Sequence, residues 1–416
     1  MRRALVIGGS LGGLLVAHLL RSVGWDAVVF ERNADELASR GVGLGTHPQL
    51  IAILQRAGIA FDATMGITPP RGVCLDRAGK IVVEQPMKRT LSGWSRLYRA
   101  LRDALPPANY RLGKALTRVE RDGEVVTAVF TDGARERGDL LVGADGVRST
   151  VRAQFLPHVE PAYAGYVAWR AVLDEAEVPP ALWREMVDLY AFCLPEGEQC
   201  ISYAVPGRDN ETAVGRRGYN IVWYRPADRA ALRDILTDAM GRHHAGGIPP
   251  PLIRPDVIAR VKADAGSILA PQIAEIFART APFFQPIYDL ISPQIVFGRV
   301  ALAGDAAFVA RPHAGAGTTK AALDAACLAD SIGDAGGDLD AGLARYQRRQ
   351  QPFGKALVEL NREEGAYLSA QIKPKAERRG AELDRDLGAV LHAHIARSDQ
   401  VGGIVAAYGL AALCGA

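Results

Sequence analysis

The run Leu5-Val6-Ile7-Gly8-Gly9-Ser10-Leu11-Gly12-Gly13, close to the start of the chain, constrains the fold more than any other segment. Residues 3–8 are mostly apolar and long enough for a buried parallel strand. Glycines then fill the turn, and Leu14 to Leu20 reads as a helix. Such a turn leaves free backbone N–H groups at the helix N-terminus, where the dipole favours an anion. Gly8 permits the tight turn, and Gly13 lets helix and strand approach closely. The middle position of the usual G-x-G-x-x-G is Ser10, which is small and can donate a hydrogen bond. A second apolar run, Ala27 to Phe30, is followed by Glu31-Arg32. That places an acid at the distance expected for gripping ribose hydroxyls. A glycine turn alone is often a plain βα connection. Strand, helix, second strand and terminal acid together read as a dinucleotide site. Glu31 favours a free 2′-hydroxyl, as in FAD or NAD, over NADP.

A second segment lies three hundred residues on: Val300-Ala301-Leu302-Ala303-Gly304-Asp305-Ala306-Ala307. It puts Asp305 at the end of an apolar strand, where a carboxylate can reach a ribityl or ribose hydroxyl. The two segments together suggest FAD, held by both ends of the chain.

With 416 residues, 49% of them hydrophobic, the chain can bury a large core, and its length suggests two domains or one large composite. A net charge of +3 gives no argument for nucleic acid or a membrane surface. The five cysteines form neither a CxxC nor a zinc pattern, so no metal is expected, and reduced thiols in a cytoplasmic protein are the plain reading. No signal-peptide pattern precedes the first strand, and no apolar stretch reaches transmembrane length.

Residues 41–48 read as a Gly/Pro loop, Gln49 to Ala57 as a helix, and Val73 to Glu84 as a hairpin turning at Asp76–Gly79. Leu97 to Leu105 reads as a helix, and Leu116–Glu120, Val125–Phe130 and Asp139–Gly143 as strands. From Tyr163 to Trp223 aromatic and aliphatic residues alternate, as in an antiparallel sheet. Ala230–Met240, Pro255–Ala263, Thr318–Ile332 and Leu339–Tyr367 read as helical, as do most of the last fifty residues. The expected fold class is α/β: a Rossmann-like FAD-binding domain, an inserted antiparallel β-sheet substrate domain and a helical C-terminus. The corresponding division is 1–70, 90–160 and 285–360 for FAD, 71–89 and 161–284 for substrate, and 361–416 for the closing helices.

A third motif, Leu140-Leu141-Val142-Gly143-Ala144-Asp145-Gly146-Val147-Arg148-Ser149-Thr150, stands between the other two. Alone, it is a strand, a turn and a helix start that Asp145 could cap. Glycine fingerprint, DG motif and GD motif in this order resemble the flavoprotein aromatic hydroxylases of the para-hydroxybenzoate hydroxylase type. The three bracket some 300 residues. Three further strings are similar to the branch that contains 2,6-dihydroxypyridine 3-hydroxylase: Tyr163 to Arg170, Tyr203 to Asn210, and Arg311 to Lys320.

The resemblance implies that Gly8, Gly9, Ser10, Leu11, Gly12, Gly13, Glu31 and Arg32 hold the ADP half of FAD. Asp145 with Gly146, and Gly304 with Asp305, would contact the cofactor, Asp305 through the ribityl chain. Pro312, Gly315, Ala316, Gly317 and Thr318 would face the flavin, with free N–H groups that favour negative charge on the reduced ring. Arg148 would lie near the path of NADH or NADPH, a transient co-substrate. The implied reaction is hydroxylation of an electron-rich, hydroxypyridine-like ring, with O₂ activated as a flavin C4a-hydroperoxide. Phe308 and Thr319 stand where many relatives carry His and Asn.

A base that deprotonates a ring hydroxyl would make the ring a better nucleophile. His313, beside the flavin-facing loop, leads the candidates, followed by His47 and Tyr203. Tyr224 and Arg170 are the substrate candidates, although packing or an ordinary ion pair would explain each of them as well. His243-His244, with no carboxylate partner, makes a poor metal site. Partners are then a small aromatic molecule and O₂, with no nucleic acid and no membrane; a homodimer stays open. Rival readings are a Baeyer–Villiger or tailoring oxygenase of a biosynthetic pathway and a non-enzymatic flavin-binding redox sensor. A halogenase is disfavoured by the lack of a WxWxIP-type string.

Overall fold

Five strands run parallel in the order Val300–Leu302, Leu140–Gly143, Arg3–Ile7, Asp26–Phe30 and Tyr110–Arg111, with Val296–Phe297 antiparallel at one edge. This is a computed structural model, and it describes residues 1–37, 43–87, 89–207, 210–395 and 397–414. Gly41 and Val42 of the expected loop, and Arg208 and Asp209 of the second resemblance string, lie outside the described residues. Ile7 pairs with Gly143, and Gly143 with Leu302. The register therefore lets Gly8, Ala144-Asp145 and Gly304-Asp305 leave the sheet side by side at its C-terminal edge. In an open parallel sheet this is where ligands bind. The core of these strands is buried on both faces, which explains their near-continuous apolar runs.

The helices Leu11–Ser22 and Gly317–Gly333 pack together beside this sheet. A three-stranded meander, Leu116–Asp122, Val125–Phe130 and Arg135–Gly138, sets Phe130 against Phe30 with ring centroids 4.9 Å apart.

The second sheet has eight strands, with Phe283–Ile291, Ala162–Asp174, Gly218–Pro226, Gln199–Val205 and Leu189–Cys193 adjacent in that order. It is mixed rather than wholly antiparallel, because Arg71–Leu75 pairs parallel with Leu189–Cys193. One face is covered by the helices Pro180–Met186, Arg229–Ile235, Pro255–Ile268 and Pro271–Ala278. The other carries Tyr166, Tyr190, Tyr203 and Tyr224.

Local expectations differ from the structure at identifiable points. The first helix starts at Leu11 rather than Leu14, because Ser10 takes the extended cap conformation. The helix expected over Ala230–Met240 stops at Ile235. Asp238 accepts the N–H groups of Met240 and Arg242, and these local bonds turn the chain away from a helix. The strand Phe283–Ile291 was hidden by Pro286, a residue that reads against strand. The expected cut between 284 and 285 falls inside that strand, and the one between 360 and 361 falls inside the helix Leu339–Glu364. The five cysteines are free. Among the described residues no helix is long and apolar enough to cross a membrane.

Candidate active site

Gly8 has φ +109°, and a Cβ there would fall on the carbonyl of Ala144; a Cβ on Gly13 would fall on the carbonyl of Gly8. Both positions exclude any side chain. Ser10, at φ −80°, occupies a conformation open to any residue, which is why the fingerprint tolerates it. Its helix has no side-chain cap and no acid in the first turn, so the first N–H groups remain for an anion. Glu31 is 5% exposed, and its Oε2 accepts the N–H of Gly9 at 2.8 Å while Oε1 accepts that of Asn33 at 2.9 Å. A carboxylate has about four lone-pair sites, so acceptor capacity remains for a hydroxyl. Tyr110 donates to the carbonyl of Gly9 at 2.9 Å. Burial, then the neighbouring Tyr98 hydroxyl, pushes the Tyr110 phenol well above its usual pKa. Gly8, Ser10, Glu31, Arg32, Asp145 and Thr150 share a cavity of about 380 Å³.

Ser149 rather than Asp145 is the N-cap of the helix Thr150–Phe155, its hydroxyl accepting the N–H of Arg152 at 2.9 Å; Asp145 accepts the N–H of Thr150 at 2.7 Å and lines that same cavity. Loss of hydration raises its pKa, and the bonds from Ser149, Val151 and Thr150 work against the rise. Gly146 supplies φ +82° for the turn. Arg148 is exposed and donates to the carbonyl of Ala245, packing against Gly246. It joins the DG turn to the loop after His243-His244.

Gly304 has φ +61°, and both of its backbone polar groups are bound to one buried ion pair. The Lys320 ammonium donates to its carbonyl at 2.7 Å, and Asp324 accepts its N–H at 2.7 Å. Lys320 and Asp324 are 3.0 Å apart with no solvent exposure, and Gln350 also bonds to Asp324. Ala321 lies between the two turns: Cβ atoms built on Gly12 and Gly304 would be 3.5 and 3.8 Å from its methyl. Arg152 donates to Ala306 at 3.1 Å and to Val147 at 2.6 Å, tying the GD turn to the DG turn. The Asp305 side chain reaches solvent and has no hydrogen bond among the described residues. Protein surrounds it closely enough that loss of hydration raises its pKa; Lys320 and Arg152 oppose this and Asp324 adds to it.

Past this turn, Pro312–Ala314 forms a 3₁₀ turn, Gly315 takes φ +61°, and Ala316 caps the helix Gly317–Gly333, with Thr318 in its first turn. His313 is 2% exposed, and its Nε2 lies 2.6 Å from the Tyr166 hydroxyl. Its ring is 5.3 Å from that of Tyr224. His47 is buried instead against Thr319, Nδ1 to Oγ1 at 2.9 Å, where it caps the helix Pro48–Arg56. Tyr203 donates to the carbonyl of Gly43 at 3.3 Å and lies beside Tyr190. The ion pair considered for Arg170 is not present among the described residues, and its Nε has no hydrogen-bond partner. His244 does have a carboxylate partner, contrary to expectation: Nε2 lies 2.7 Å from Asp238. Thus His313 and Tyr224 come together, while His47, Tyr203 and Arg148 have separate neighbours.

Sequence reasoning passed over Tyr110, the Lys320–Asp324 pair and Tyr166. Lys320 and Asp324 carried a signal, being opposite charges four apart in an alanine-rich helix. Tyr110 and Tyr166 carried none that separates them from sheet packing.

A family model described as FAD binding domain-like matches residues 163–289. The 2,6-dihydroxypyridine 3-monooxygenase of Paenarthrobacter nicotinovorans is 31% identical over 357 residues, 86% of this chain and 89% of that protein. The 6-hydroxynicotinate 3-monooxygenase of Pseudomonas fluorescens is 27% identical, covering 89% of this chain and 90% of that one. The solved structure of 2,6-dihydroxypyridine-3-hydroxylase from Arthrobacter nicotinovorans superposes with a TM-score of 0.82 at 30% identity, over 88% of this chain and 93% of that one. Two helix N-termini without acids, a glycine cradle closed to any Cβ and a carboxylate without a protein partner are what a flavin dinucleotide requires. On sequence, fold and site together, the chain belongs to the FAD-dependent, NAD(P)H-consuming aromatic monooxygenases of the para-hydroxybenzoate hydroxylase type.

Proposed function

We propose that this enzyme hydroxylates an electron-rich N-heteroaromatic ring bearing a hydroxyl group, in the class of the hydroxypyridines named for its relatives. The observation that carries this is the seam between the two sheets. The 312–317 turn belongs to the nucleotide edge, yet His313 is bonded to Tyr166 and packed on Tyr224, both from the face of the eight-stranded sheet. FAD, when bound, supplies the acceptance of hydride from NAD(P)H and the activation of O₂.

The residues of the chain have simpler tasks. Glu31 and Asp305 would accept hydrogen bonds from ribose and ribityl hydroxyls of FAD. The N-terminus of the helix Leu11–Ser22 would hold the pyrophosphate, and that of Gly317–Gly333 would face the flavin pyrimidine edge. The tyrosine face supplies flat apolar walls that exclude water from the ring. Tyr166 Oη and His313 Nε2 share one proton at 2.6 Å. A ring hydroxyl docked on Tyr166 can pass its proton through that contact into His313.

The test is a panel of hydroxypyridines and phenolic acids with the purified holoenzyme, scored by substrate-stimulated NAD(P)H oxidation and product mass. One oxygen added to an intact ring, with one O₂ consumed, supports this reading. Ring expansion or cleavage points to the tailoring oxygenase, and a flavin that NAD(P)H never bleaches points to the redox sensor.

A further inference from the structure

Arg89 lies in the connection between the strands Ile81–Pro86 and Leu91–Gly93, where it is 9% exposed. Its Nε and one terminal nitrogen have no hydrogen-bond partner, and the other reaches the Tyr190 hydroxyl only at 3.5 Å. No carboxylate pairs with it among the described residues. A buried guanidinium in this state is costly unless something anionic meets it.

Its surroundings add positive charge rather than removing it. A Cβ on Gly315 would lie 4.0 Å from both terminal nitrogens, which brings Arg89 up to the turn that opens the helix Gly317–Gly333. The first turn of that helix holds no acid and no side-chain cap, so its dipole is unopposed there. Arg170, itself without an ion pair among the described residues, sits opposite Val222 and by strand alternation shares the sheet face that carries Tyr166 and Tyr224. The approach of Arg89 depends on Gly45, because a Cβ there would sit 2.9 Å from the guanidinium carbon. The Arg89 guanidinium and a helix N-terminus thus meet beside the Tyr190 ring, which packs on Tyr203. Arg89 does not line the cavity at Glu31, so it is not placed for the ADP phosphates.

We infer that Arg89 anchors an anionic oxygen of the substrate, a ring carboxylate or ring oxyanion, by a planar two-point contact. Tyr190 and Tyr203 flank the ring that carries it. That the ligand is an aromatic ring rests on the function proposed above; that the site takes an anion does not.

Three probes with the oxidised holoenzyme test this: 6-hydroxynicotinate, its neutral analogue 6-hydroxynicotinamide, and iodide, each followed by flavin absorbance and calorimetry. In Arg89→Met, 6-hydroxynicotinate should bind at least about thirty-fold more weakly, the amide by less than about threefold, and FAD content should not change. Arg89→Lys should fall between, since it keeps the charge and loses the planar fork. Equal affinity of wild type and Arg89→Met for 6-hydroxynicotinate and iodide would overturn the inference. So would no anion binding to wild type, or a shift in flavin reduction potential alone. If iodide binds in an Arg89-dependent way while neither ring ligand binds wild type, the anion site stands and the aromatic-substrate reading falls.

Discussion

The Lys320 ammonium sits 2.7 Å from the carbonyl oxygen of Gly304, and with Asp324 it fixes both backbone groups of the glycine that precedes Asp305. The turn that aims Asp305 is therefore held from behind by a fully buried ion pair. Lys320→Met would leave the buried Asp324 carboxylate without its cation, held only by the Gly304 N–H and Gln350. It should lower stability by about 3–5 kcal/mol and reduce retained FAD. Urea unfolding and flavin content per chain check this. An unchanged midpoint with full flavin would show that the pair does not hold the turn.

Gly12 and Gly13 are adjacent but not equivalent. A Cβ on Gly13 meets the backbone of Gly8, which cannot move without opening the strand–helix turn, whereas one on Gly12 makes ordinary contact with Ala321 at 3.5 Å. Gly13→Ala should abolish flavin retention and cost about 1–3 kcal/mol or more of stability. Gly12→Ala should stay folded and yellow. Equal behaviour of the two variants would contradict the geometry.

What the sequence made legible was chemistry placed at strand ends. Gly8, Glu31, Asp145 and Asp305 each follow an apolar run, and the register of a parallel sheet turns that sequence pattern into a common edge. Arg89 was not legible, because no local pattern separates it from a surface arginine; docking against Gly45 and Gly315 buries it. The parallel pairing of Arg71–Leu75 with Leu189–Cys193 joins segments more than a hundred residues apart and leaves no mark on either. His313 stands out in the sequence by its place after Pro312, but its bond to Tyr166 follows from the packing of two sheets. The carboxylate partner of His244 lay six residues away and was readable only once the helix was known to end at Ile235.

His313→Ala should slow hydroxylation by about 10²–10⁴-fold while flavin content stays that of wild type. Tyr166→Phe, which removes the shared proton and keeps the ring, should show the same split. Steady-state turnover beside flavin absorbance decides it. Unchanged turnover in both variants would remove the pair from the reaction.

His18, half-buried, has its pKa lowered by burial, although its bond to the carbonyl of Leu101 works the other way. A histidine depressed in the folded state binds its proton more readily when unfolded, so stability falls as pH drops through about 6.5 and below. The slope from this group is at most about 1.4 kcal/mol per pH unit. His18→Gln should flatten the stability profile between about pH 7 and 5. A profile with the same slope would assign the loss to other groups.

The proposed function requires that the amino-terminal glycine turn and Asp305 hold one flavin. Equilibrium dialysis of FAD against the apoprotein, for wild type and Asp305→Ala, tests it most directly, with circular dichroism as the check on folding. The variant should keep native circular dichroism and bind FAD at least about tenfold more weakly, from loss of charged hydrogen bonds to the cofactor. A folded Asp305→Ala protein that binds FAD as tightly as wild type would contradict it.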